Sequence, residues 1–340
     1  MKIAVISTTI MNLPPPGYSG LEMLAWQQAD QLAKLGHKVL LIAPKDSVPP
    51  PNVELHGTTL GESEGQAYSG YWQRLLEQDA ICDHSWQKFS ILLRSEGKLK
   101  APSLLWLHAP VETMMHSPPP IQKPCLVAIS KDQAGAAIGH LGLLAKVCYN
   151  GVDPDFYKPT GEDKSDRYLF LARMSKLKGP HIAAYAAKLL GKKLDLVGDD
   201  KLVEDPNYVA IVKSVCDSTN IVYQGGKPRE ECVGFFSRAK AMLHCNSVFR
   251  EPFGLAPIEA QMCGCPVISS DYGAMRETVN SGVTGLFYRT FEDLLDIIKE
   301  DRIASIKSKD CREWASQFSI DKFGKRSEEL IKEAIDTGGW

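Results

Sequence analysis

The sequence predicts an α/β protein with two doubly wound, Rossmann-like domains that face each other across a cleft. Three observations predict this fold. Short apolar runs alternate with segments of helical periodicity, the pattern restarts after a polar stretch, and 340 residues exceed what one hydrophobic core usually organises. Such alternation is typical of a parallel sheet covered by helices, whose ligands bind beyond the carboxyl ends of the strands. We therefore expect a ligand in the cleft.

The first half begins with the pattern strand, glycine loop, helix. "KIAVIST" is a short β-branched run, "MNLPPPGYSG" is rich in Pro and Gly, and apolar residues recur at near-helical spacing from Leu21 to Leu35. Gly36 is suited to end this helix in a left-handed conformation. The further strands predicted in this half are "KVLLIAP", "AICDHS", "PSLLWLHAP" and "CLVAIS".

The pattern restarts after a polar stretch at residues 155 to 166. We predict an N-terminal domain over 1–155, a C-terminal domain over 156–315, and a helix within 316–340 that packs back toward the N-terminal domain. The strands of the second half are predicted in "RYLFLARMSKLKG", "KLDLVGDD", "NIVYQGG", "AMLHCNS", "CPVISS" and "TGLFY".

Composition disfavours several classes of protein. The net charge is −2 and the basic residues are scattered, so no nucleic-acid partner is expected. Nine cysteines without paired spacing indicate reduced thiols and a cytoplasmic location rather than a disulfide framework. No apolar segment reaches the length of a membrane span, and "MKIAVISTTI" is too short for a signal sequence.

Two carboxylates flank a turn in "REPFGLAPIEAQMCGCPVISS". Pro257 is tolerated only in a first helical turn, which predicts a helix that starts near Leu255. Its free N–H groups, next to Gly254, would form an anion site that suits phosphate. Glu259 lies one turn inside this helix and Glu251 precedes the turn, so both are candidates to bind hydroxyl groups of one ligand.

Two cations follow the first strand of the second half. "LARMSKLKG" places Arg173 and Lys178 at the strand end, before a helix that should begin near Pro180. A guanidinium that forks onto two oxygens and an ammonium that acts as a point charge together suit a diphosphate. For each charged residue taken singly, a solvated surface position is the more common interpretation.

These motifs together resemble a known family. "EPFGLAPIE" followed by "EAQMCGCPVISSDYGAMRETVNSGVTGLFY" is similar to the donor-binding region of the family 4 retaining glycosyltransferases, which adopt the GT-B fold. "ARMSKLKG" resembles their phosphate clamp and "VCYNGVDPDFYKP" their interdomain signature. The resemblance covers residues 125 to 290 well, whereas the first hundred residues match only in pattern. It implies an acceptor-binding N-terminal domain and a donor-binding C-terminal domain.

The resemblance also implies roles for side chains. Arg173 and Lys178 would hold the pyrophosphate, Glu259 the ribose hydroxyls and Glu251 the transferred sugar. His108, at the end of "LLWLH", matches a histidine that contacts the donor sugar from the other domain. A packed or solvated histidine is the alternative for His108.

Backbone groups complete the implied donor site. The residues expected to contact the donor through the backbone or a glycine loop are Gly20, Gln224, Gly225, Phe253, Gly254 and Leu255. Tyr18 and Glu22 are expected on the acceptor side. Ser19 replaces one of two glycines usual in the family, and "VGDD" stands where Gly-x-Gly is usual, which leaves the roles of Asp199 and Asp200 open.

The function implied is a retaining, metal-independent glycosyltransferase without a cofactor. It would move a hexosyl unit from a nucleotide-diphosphate sugar, UDP first and GDP second, to a hydroxyl of a carbohydrate, lipid or small-molecule acceptor. The alternatives are a nucleotide-sugar epimerase or phosphorylase on the same fold, or a catalytically silent nucleotide-sugar-binding protein. A nicotinamide dehydrogenase is disfavoured because no GxGxxG follows the first strand. "DQAGAAIGHLGLLAK" suggests at most a weak membrane-surface association.

Overall fold

The chain forms two compact units. In the computed structural model, which describes residues 1–17, 19–200, 205–246 and 248–340, unit 1 comprises Met1–Gly151 together with Ile320–Trp340. Unit 2 comprises Val152–Ser319. The chain therefore enters unit 2 after Gly151 and returns to unit 1 at Ile320, whereas the sequence suggested boundaries after residues 155 and 315.

Unit 1 contains a seven-stranded parallel sheet in the order β3-β2-β1-β4-β5-β6-β7. Its strands are β1 (Lys2–Ile6), β2 (Lys38–Pro44), β3 (Val53–Thr58), β4 (Ala80–Asp83), β5 (Ser103–Trp106), β6 (Cys125–Ala128) and β7 (Ala145–Val147). The helices of residues 1–151 are α1 (Gly20–Lys34), α2 (Glu64–Leu75), α3 (Ser90–Ser95), α4 (Val111–Met114) and α5 (Lys131–Leu141).

The strand order reverses between β1 and β4. The chain builds β1, β2 and β3 outward in one direction and then returns to place β4 on the other side of β1. Beyond the carboxyl ends of two such strands the loops diverge and leave a crevice, which is where ligands of open α/β sheets bind. In unit 1 this position is occupied by the residues that follow β1 and β4.

The sequence prediction missed the two edge strands of this sheet. β3 is an edge strand whose exposed positions interrupt its apolar pattern, and β7 has three residues. Central strands such as β1 and β4 are buried on both faces and read as continuous apolar runs, which is why they were recognised.

Unit 2 contains a six-stranded parallel sheet in the order β10-β9-β8-β11-β12-β13. Its strands are β8 (Tyr168–Leu171), β9 (Leu194–Val197), β10 (Ile221–Gly225), β11 (Met242–His244), β12 (Val267–Ser270) and β13 (Gly285–Tyr288). Its helices are α6 (Pro180–Leu190), α7 (Pro206–Ser214), α8 (Arg229–Arg238), α9 (Leu255–Met262), α10 (Met275–Thr278), α11 (Phe291–Lys299) and α12 (Ser308–Ala315). The reversal of strand order lies between β8 and β11, the two strands that precede the predicted phosphate clamp and the "EPFGLAPIE" motif.

The terminal helix α13 (Ile320–Thr337) belongs to unit 1. It packs on α1 so closely that a Cβ atom at Gly324 would lie 2.6 Å from the Cβ of Gln31. His37 Nε2 lies 3.0 Å from Glu328 Oε1, and Leu330 is fully buried. The C-terminal segment is therefore part of the core of unit 1. Within the described residues, no helix combines the length and apolar character needed to cross a bilayer.

Candidate functional site

The centre of the candidate site in unit 2 is an ion pair between Lys178 and Glu251. Lys178 follows β8 and Glu251 follows β11, so the two sides of the strand-order reversal supply one residue each. Lys178 Nζ lies 2.5 Å from Glu251 Oε2, and the side chains are 19% and 11% exposed. The sequence placed these residues in one ligand site, and the structure brings them into contact.

Two further side chains converge on the same carboxylate oxygen. Asn246 Nδ2 donates a hydrogen bond of 2.9 Å to Glu251 Oε2, and His244 Nε2 lies 3.8 Å from it. Among the described residues, Glu251 Oε1 has no hydrogen-bond partner. The carboxylate is thus held through one oxygen, and the other is left to accept a hydrogen bond from a ligand.

The electrostatics of this group favour one charged pair at neutral pH. Burial raises the pKa of Glu251, but Lys178, His244 and the hydrogen bonds from Lys178 and Asn246 outweigh burial and bring the pKa below its ordinary value. Burial lowers the pKa of His244 to about 4, so this imidazole is neutral. The pair therefore consists of a carboxylate and an ammonium.

The loop that carries Lys178 depends on Gly179. Lys176–Lys178 form a 3-10 turn, and Gly179 follows with φ +69°. A Cβ atom at this position would lie 2.2 Å from the backbone oxygen of Cys245, so the loop approaches the end of β11 more closely than any other residue type allows. α6 then begins at Pro180, as the sequence predicted.

The loop that carries Glu251 is fixed at two glycines. Gly254 has φ +85° and precedes α9, which begins at Leu255 as predicted. A Cβ atom at Gly273 would lie 2.6 Å from the backbone oxygen of Glu251, and Ala274 N donates 2.9 Å to that oxygen. Phe253 is 1% exposed and its ring packs 5.6 Å from that of Phe318, centroid to centroid, so this residue is available to a ligand only through its backbone.

Glu259 is buried in a polar network rather than solvated. It lies on α9 with 4% exposure. The hydroxyl of Tyr157 is hydrogen-bonded to Glu259 and accepts 3.2 Å from Arg229 Nε. Burial, and secondly the Glu259 carboxylate, raise the pKa of Tyr157 well above its ordinary value. Sequence reasoning missed Tyr157 and Arg229, although the tyrosine lies inside the "VCYNGVDPDFYKP" motif.

Arg173 differs from Lys178 in its surroundings. Its side chain is exposed, and within the described part of unit 2 it makes no hydrogen bond or ion pair. The positive charge of Lys178 is offset by Glu251, whereas that of Arg173 is offset by no described neighbour. Arg173 is therefore the cation of the predicted clamp that presents net charge.

The loop "YQGGKP" has both a structural and an accessible part. Gln224 Nε2 donates 2.9 Å to Asp195 Oδ1, so this side-chain amide is engaged at the edge of the sheet. Gly225 has φ +74°, and its backbone oxygen accepts 3.0 Å from Gly198 N. The Gln224 side-chain nitrogen is thus engaged within unit 2, and its contact with a donor stays a prediction.

In the "VGDD" segment, the structure explains Gly198 by close packing and Asp200 by an ion pair. A Cβ atom at Gly198 would lie 1.9 Å from the backbone oxygen of Ala172, so the first glycine is required by close packing of adjacent strand ends. Asp200 is paired with Lys213, and Tyr223 donates 3.0 Å to the backbone oxygen of Gly198. No three His, Cys, Asp or Glu side chains of the described ranges come together to hold a metal ion.

The described candidate residues of unit 1, Gly20, Glu22 and His108, lie beyond the carboxyl ends of β1 and β5. Glu22 on α1 is 3% exposed and accepts 2.7 Å from Thr8 Oγ1 at one oxygen and a hydrogen bond from Ser19 at the other. Gly20 is the first residue of α1. Tyr18, the other acceptor-side candidate, lies outside the described residues.

His108 follows β5 and is hydrogen-bonded to a second histidine. Its Nε2 lies 2.8 Å from Nδ1 of His84, and the two rings lie edge to edge with centroids 5.0 Å apart and an interplanar angle of 24°. Burial lowers the pKa of both imidazoles well below the ordinary value. Sequence reasoning singled out His108 but not its partner, which ends the strand run "AICDHS".

Two parallel, doubly wound sheets with this strand order define the class of protein as α/β with the GT-B fold. The chain superposes on AviGT4, a glycosyltransferase involved in avilamycin A biosynthesis, with TM-score 0.77 and 22% identity over 99% of this chain and 98% of that one. It superposes on Anabaena HepE, in complex with UDP and glucose, with TM-score 0.76 and 19% identity over 98% and 100% of the two chains. At these identities the likeness shows the fold, and the predicted fold class is confirmed.

Residues 153–316 of the chain match the model of the glycosyl transferases group 1 family. The family recognised from the motifs is thereby confirmed. The D-inositol 3-phosphate glycosyltransferase of Mycolicibacterium smegmatis is 30% identical over 191 residues, which cover 51% of this chain and 44% of that relative. The chain thus spans less than half the length of this curated relative.

Proposed function

We propose that this protein is a retaining, metal-independent glycosyltransferase that transfers a hexosyl unit from a nucleotide-diphosphate sugar to an acceptor hydroxyl. The observation that carries the proposal is the Lys178–Glu251 pair beside the first turn of α9, at the strand-order reversal of unit 2. A UDP-sugar is the first choice of donor and a GDP-sugar the second. The acceptor is a carbohydrate, a lipid or a small molecule bound by unit 1.

Positive charge for the leaving diphosphate comes from three sources. The guanidinium of Arg173 is exposed, the ammonium of Lys178 is held by Glu251, and the first N–H groups of α9 have no partner within the helix. As the bond from sugar to diphosphate breaks, negative charge grows on the phosphate oxygens, and preorganised donors of this kind lower the barrier. Together these groups take the part that a divalent metal has in other transferases.

Glu251 binds the transferred sugar through Oε1, the carboxylate oxygen that its protein neighbours do not contact. Because Lys178, Asn246 and His244 all contact Oε2, Oε1 is free to accept a hydroxyl of the transferred hexose. Glu259 lies one helical turn after the start of α9 at Leu255. Its carboxylate accepts hydrogen bonds from the ribose hydroxyls and is oriented by Tyr157. The donor thereby lies along the start of α9.

Retention of configuration follows from attack on the face that the leaving group departs from. A phosphate oxygen of the leaving group takes the proton of the acceptor hydroxyl, so no protein base is needed. The complex of Anabaena HepE with UDP and glucose supports a nucleoside-diphosphate donor, and the similarity to the D-inositol 3-phosphate glycosyltransferase of Mycolicibacterium smegmatis supports glycosyl transfer.

Thermal unfolding with a panel of UDP, GDP, ADP and their sugar conjugates tests the donor. A ligand at about one hundred times its dissociation constant stabilises the folded protein by about 2.7 kcal/mol, so the true donor should raise the unfolding temperature visibly. UDP and a UDP-sugar should give the largest shift. Absence of a shift with every nucleoside diphosphate would overturn the proposal.

Product analysis tests the reaction. With donor and an acceptor mixture we expect a product whose anomeric configuration equals that of the donor, and undiminished turnover with a chelator present. An inverted product contradicts the retaining mechanism, and a strict metal requirement contradicts metal independence. A changed sugar in the absence of acceptor would instead identify an epimerase.

A further inference from the structure

A chain of hydrogen bonds runs through the interior of unit 1 to His108. His108 Nε2 lies 2.8 Å from His84 Nδ1, and His84 Nε2 lies 2.7 Å from Gln28 Oε1. The amide nitrogen of Gln28 donates 3.1 Å to Ser327 Oγ, which lies 3.7 Å from Cys148 Sγ. The chain thus links the end of β5 to α1 and the terminal helix α13.

Only the His108 end of this series of hydrogen bonds reaches the surface. Gln28, His84 and Ser327 are each fully buried, whereas His108 is half-buried. The ring of His84 lies against those of Trp106 and His108, with centroid distances of 5.1 and 5.0 Å. Rotation of either imidazole is therefore restricted by packing as well as by hydrogen bonds.

Gln28 lies on the buried face of α1, where the helical spacing of apolar residues predicts another apolar side chain. It lies one turn after Leu24 and one turn before Leu32 on α1, and both leucines are buried. A buried amide without hydrogen bonds is unfavourable, so a glutamine within this apolar stripe is compatible with folding only when both ends of its amide are paired. Here both ends are paired, Oε1 with His84 and Nε2 with Ser327.

The positions of the protons follow from the amide. A carbonyl oxygen can only accept, so His84 Nε2 carries a proton. In a neutral imidazole the other nitrogen is then an acceptor, so His84 Nδ1 receives its hydrogen bond from His108 Nε2. Burial favours the neutral form of both rings, and the nearby Lys88 acts in the same direction. A neutral His108 with a proton on Nε2 has a bare lone pair on Nδ1.

We propose that Gln28 and His84 are positioning residues that hold His108 in the Nε2-protonated tautomer, so that Nδ1 faces the substrate as an acceptor. Within the described residues, Nδ1 of His108 has no hydrogen-bond partner of its own. Its ligand is a hydroxyl donor, as a sugar supplies, and not an oxyanion or a carbonyl group. The identity of that hydroxyl as part of the sugar rests on the function proposed above.

Nitrogen-15 NMR of the histidine side chains tests the tautomer without any assay of activity. We expect His108 to show a protonated Nε2 and an unprotonated Nδ1, with the same pattern at His84, throughout the neutral range. A protonated Nδ1 at His108, or an equal mixture of tautomers, would overturn the proposal. The measurement uses the wild-type chain, so it decides the question even if a variant fails to fold.

A pair of variants tests the source of the tautomer. Gln28→Leu removes the acceptor of His84 and should allow His84 and His108 to adopt the reversed tautomers. Gln31→Leu is the matched control, because Gln31 is 6% exposed on the same helix and its amide contacts Asp30 at 3.4 Å. An unchanged His108 pattern in Gln28→Leu would show that the amide does not set it.

The consequence for transfer is tested in two backgrounds. In the wild-type background Gln28→Leu should lower kcat about tenfold, whereas in a His108→Ala background it should have little further effect. A purely structural role of Gln28 would lower kcat equally in both. If the chain transfers no sugar at all, the proposed function fails, while the NMR result still decides the tautomer.

Discussion

Glu251 keeps an ionised carboxylate in the interior only because its neighbours compensate for the lost water. Lys178, Asn246 and His244 surround a single oxygen of this carboxylate, as described above. Removing one partner of a buried pair leaves the other charge unpaired, and this costs more than the pair itself contributes. The pair can therefore be tested separately for stability and for function.

Lys178→Met should lower the free energy of unfolding by about 3–5 kcal/mol, because it strands the Glu251 carboxylate. The double variant Lys178→Met/Glu251→Gln should recover most of that loss, since no buried charge is left. Turnover should stay low in both. Chemical denaturation and a transfer assay measure the two effects, and equal stability of the single and double variants would contradict a buried ion pair.

Arg173 is tested by comparison with another cation of the same loop. Arg173→Ala should reduce kcat by about a hundredfold. The exposed guanidinium pairs with no described residue, and in the proposed reaction its removal takes away a positive charge that stabilises the leaving diphosphate. Lys176→Ala, also exposed in this loop, is the matched control and should leave kcat nearly unchanged. Similar activity of both variants would remove Arg173 from the proposed clamp.

At the scale of the element, the two ends of α6 carry the same backbone conformation for different reasons. Gly179 precedes this helix with φ +69°, and Gly191 follows it with φ +60°. A Cβ atom at Gly179 would lie 2.2 Å from a backbone oxygen, whereas one at Gly191 would meet nothing within 4 Å. The first glycine is required by packing and conformation, the second by conformation alone.

Gly191→Ala should therefore cost about 1 kcal/mol, the strain of a left-handed alanine. Gly179→Ala should cost several kcal/mol, because the strand end must also move, and it should reduce turnover by displacing Lys178. Urea denaturation and kcat measure the difference. Equal losses of stability would indicate that the contact with Cys245 is relieved without cost.

The elements differ in how far the sequence could predict them. Buried central strands and the start of α9 at Leu255 were predictable, because apolar runs and the positions of Pro257 and Gly254 are local signals. β3 and β7 were not, since an edge strand carries a weaker pattern. The pairing of Lys178 with Glu251, and that of His84 with His108 and Gln28, join residues far apart in sequence, and only the fold brings them together.

At the scale of the whole molecule, each unit has its own hydrophobic core, and the terminal helix α13 contributes to the core of unit 1. Leu330 on α13 and Leu294 on α11 are both fully buried, the former in unit 1 and the latter in unit 2. Replacing a buried leucine by alanine typically costs 2–5 kcal/mol. The two positions are therefore matched probes of the two cores.

Leu330→Ala should accelerate amide hydrogen exchange in the sheet of residues 2–147, although it lies almost two hundred residues further along the chain. Leu294→Ala should do so in the sheet of residues 168–288. Exchange measured by mass spectrometry, peptide by peptide, gives the comparison. Faster exchange confined to α13 itself in Leu330→Ala would show that unit 1 is stable without this helix.

The two passages of the chain between the units lie side by side. Val152 and Ser319 form a parallel bridge, Val152 N donates 2.9 Å to the oxygen of Phe318, and a Cβ atom at Gly151 would lie 2.8 Å from the Cα of Ile320. Unit 2 therefore begins and ends at one place and has the topology of a domain inserted into a loop of unit 1. A gene that joins residue 151 to residue 320 through a few glycines would encode unit 1 with its terminal helix intact, so that the folding and ligand binding of unit 1 become measurable without unit 2.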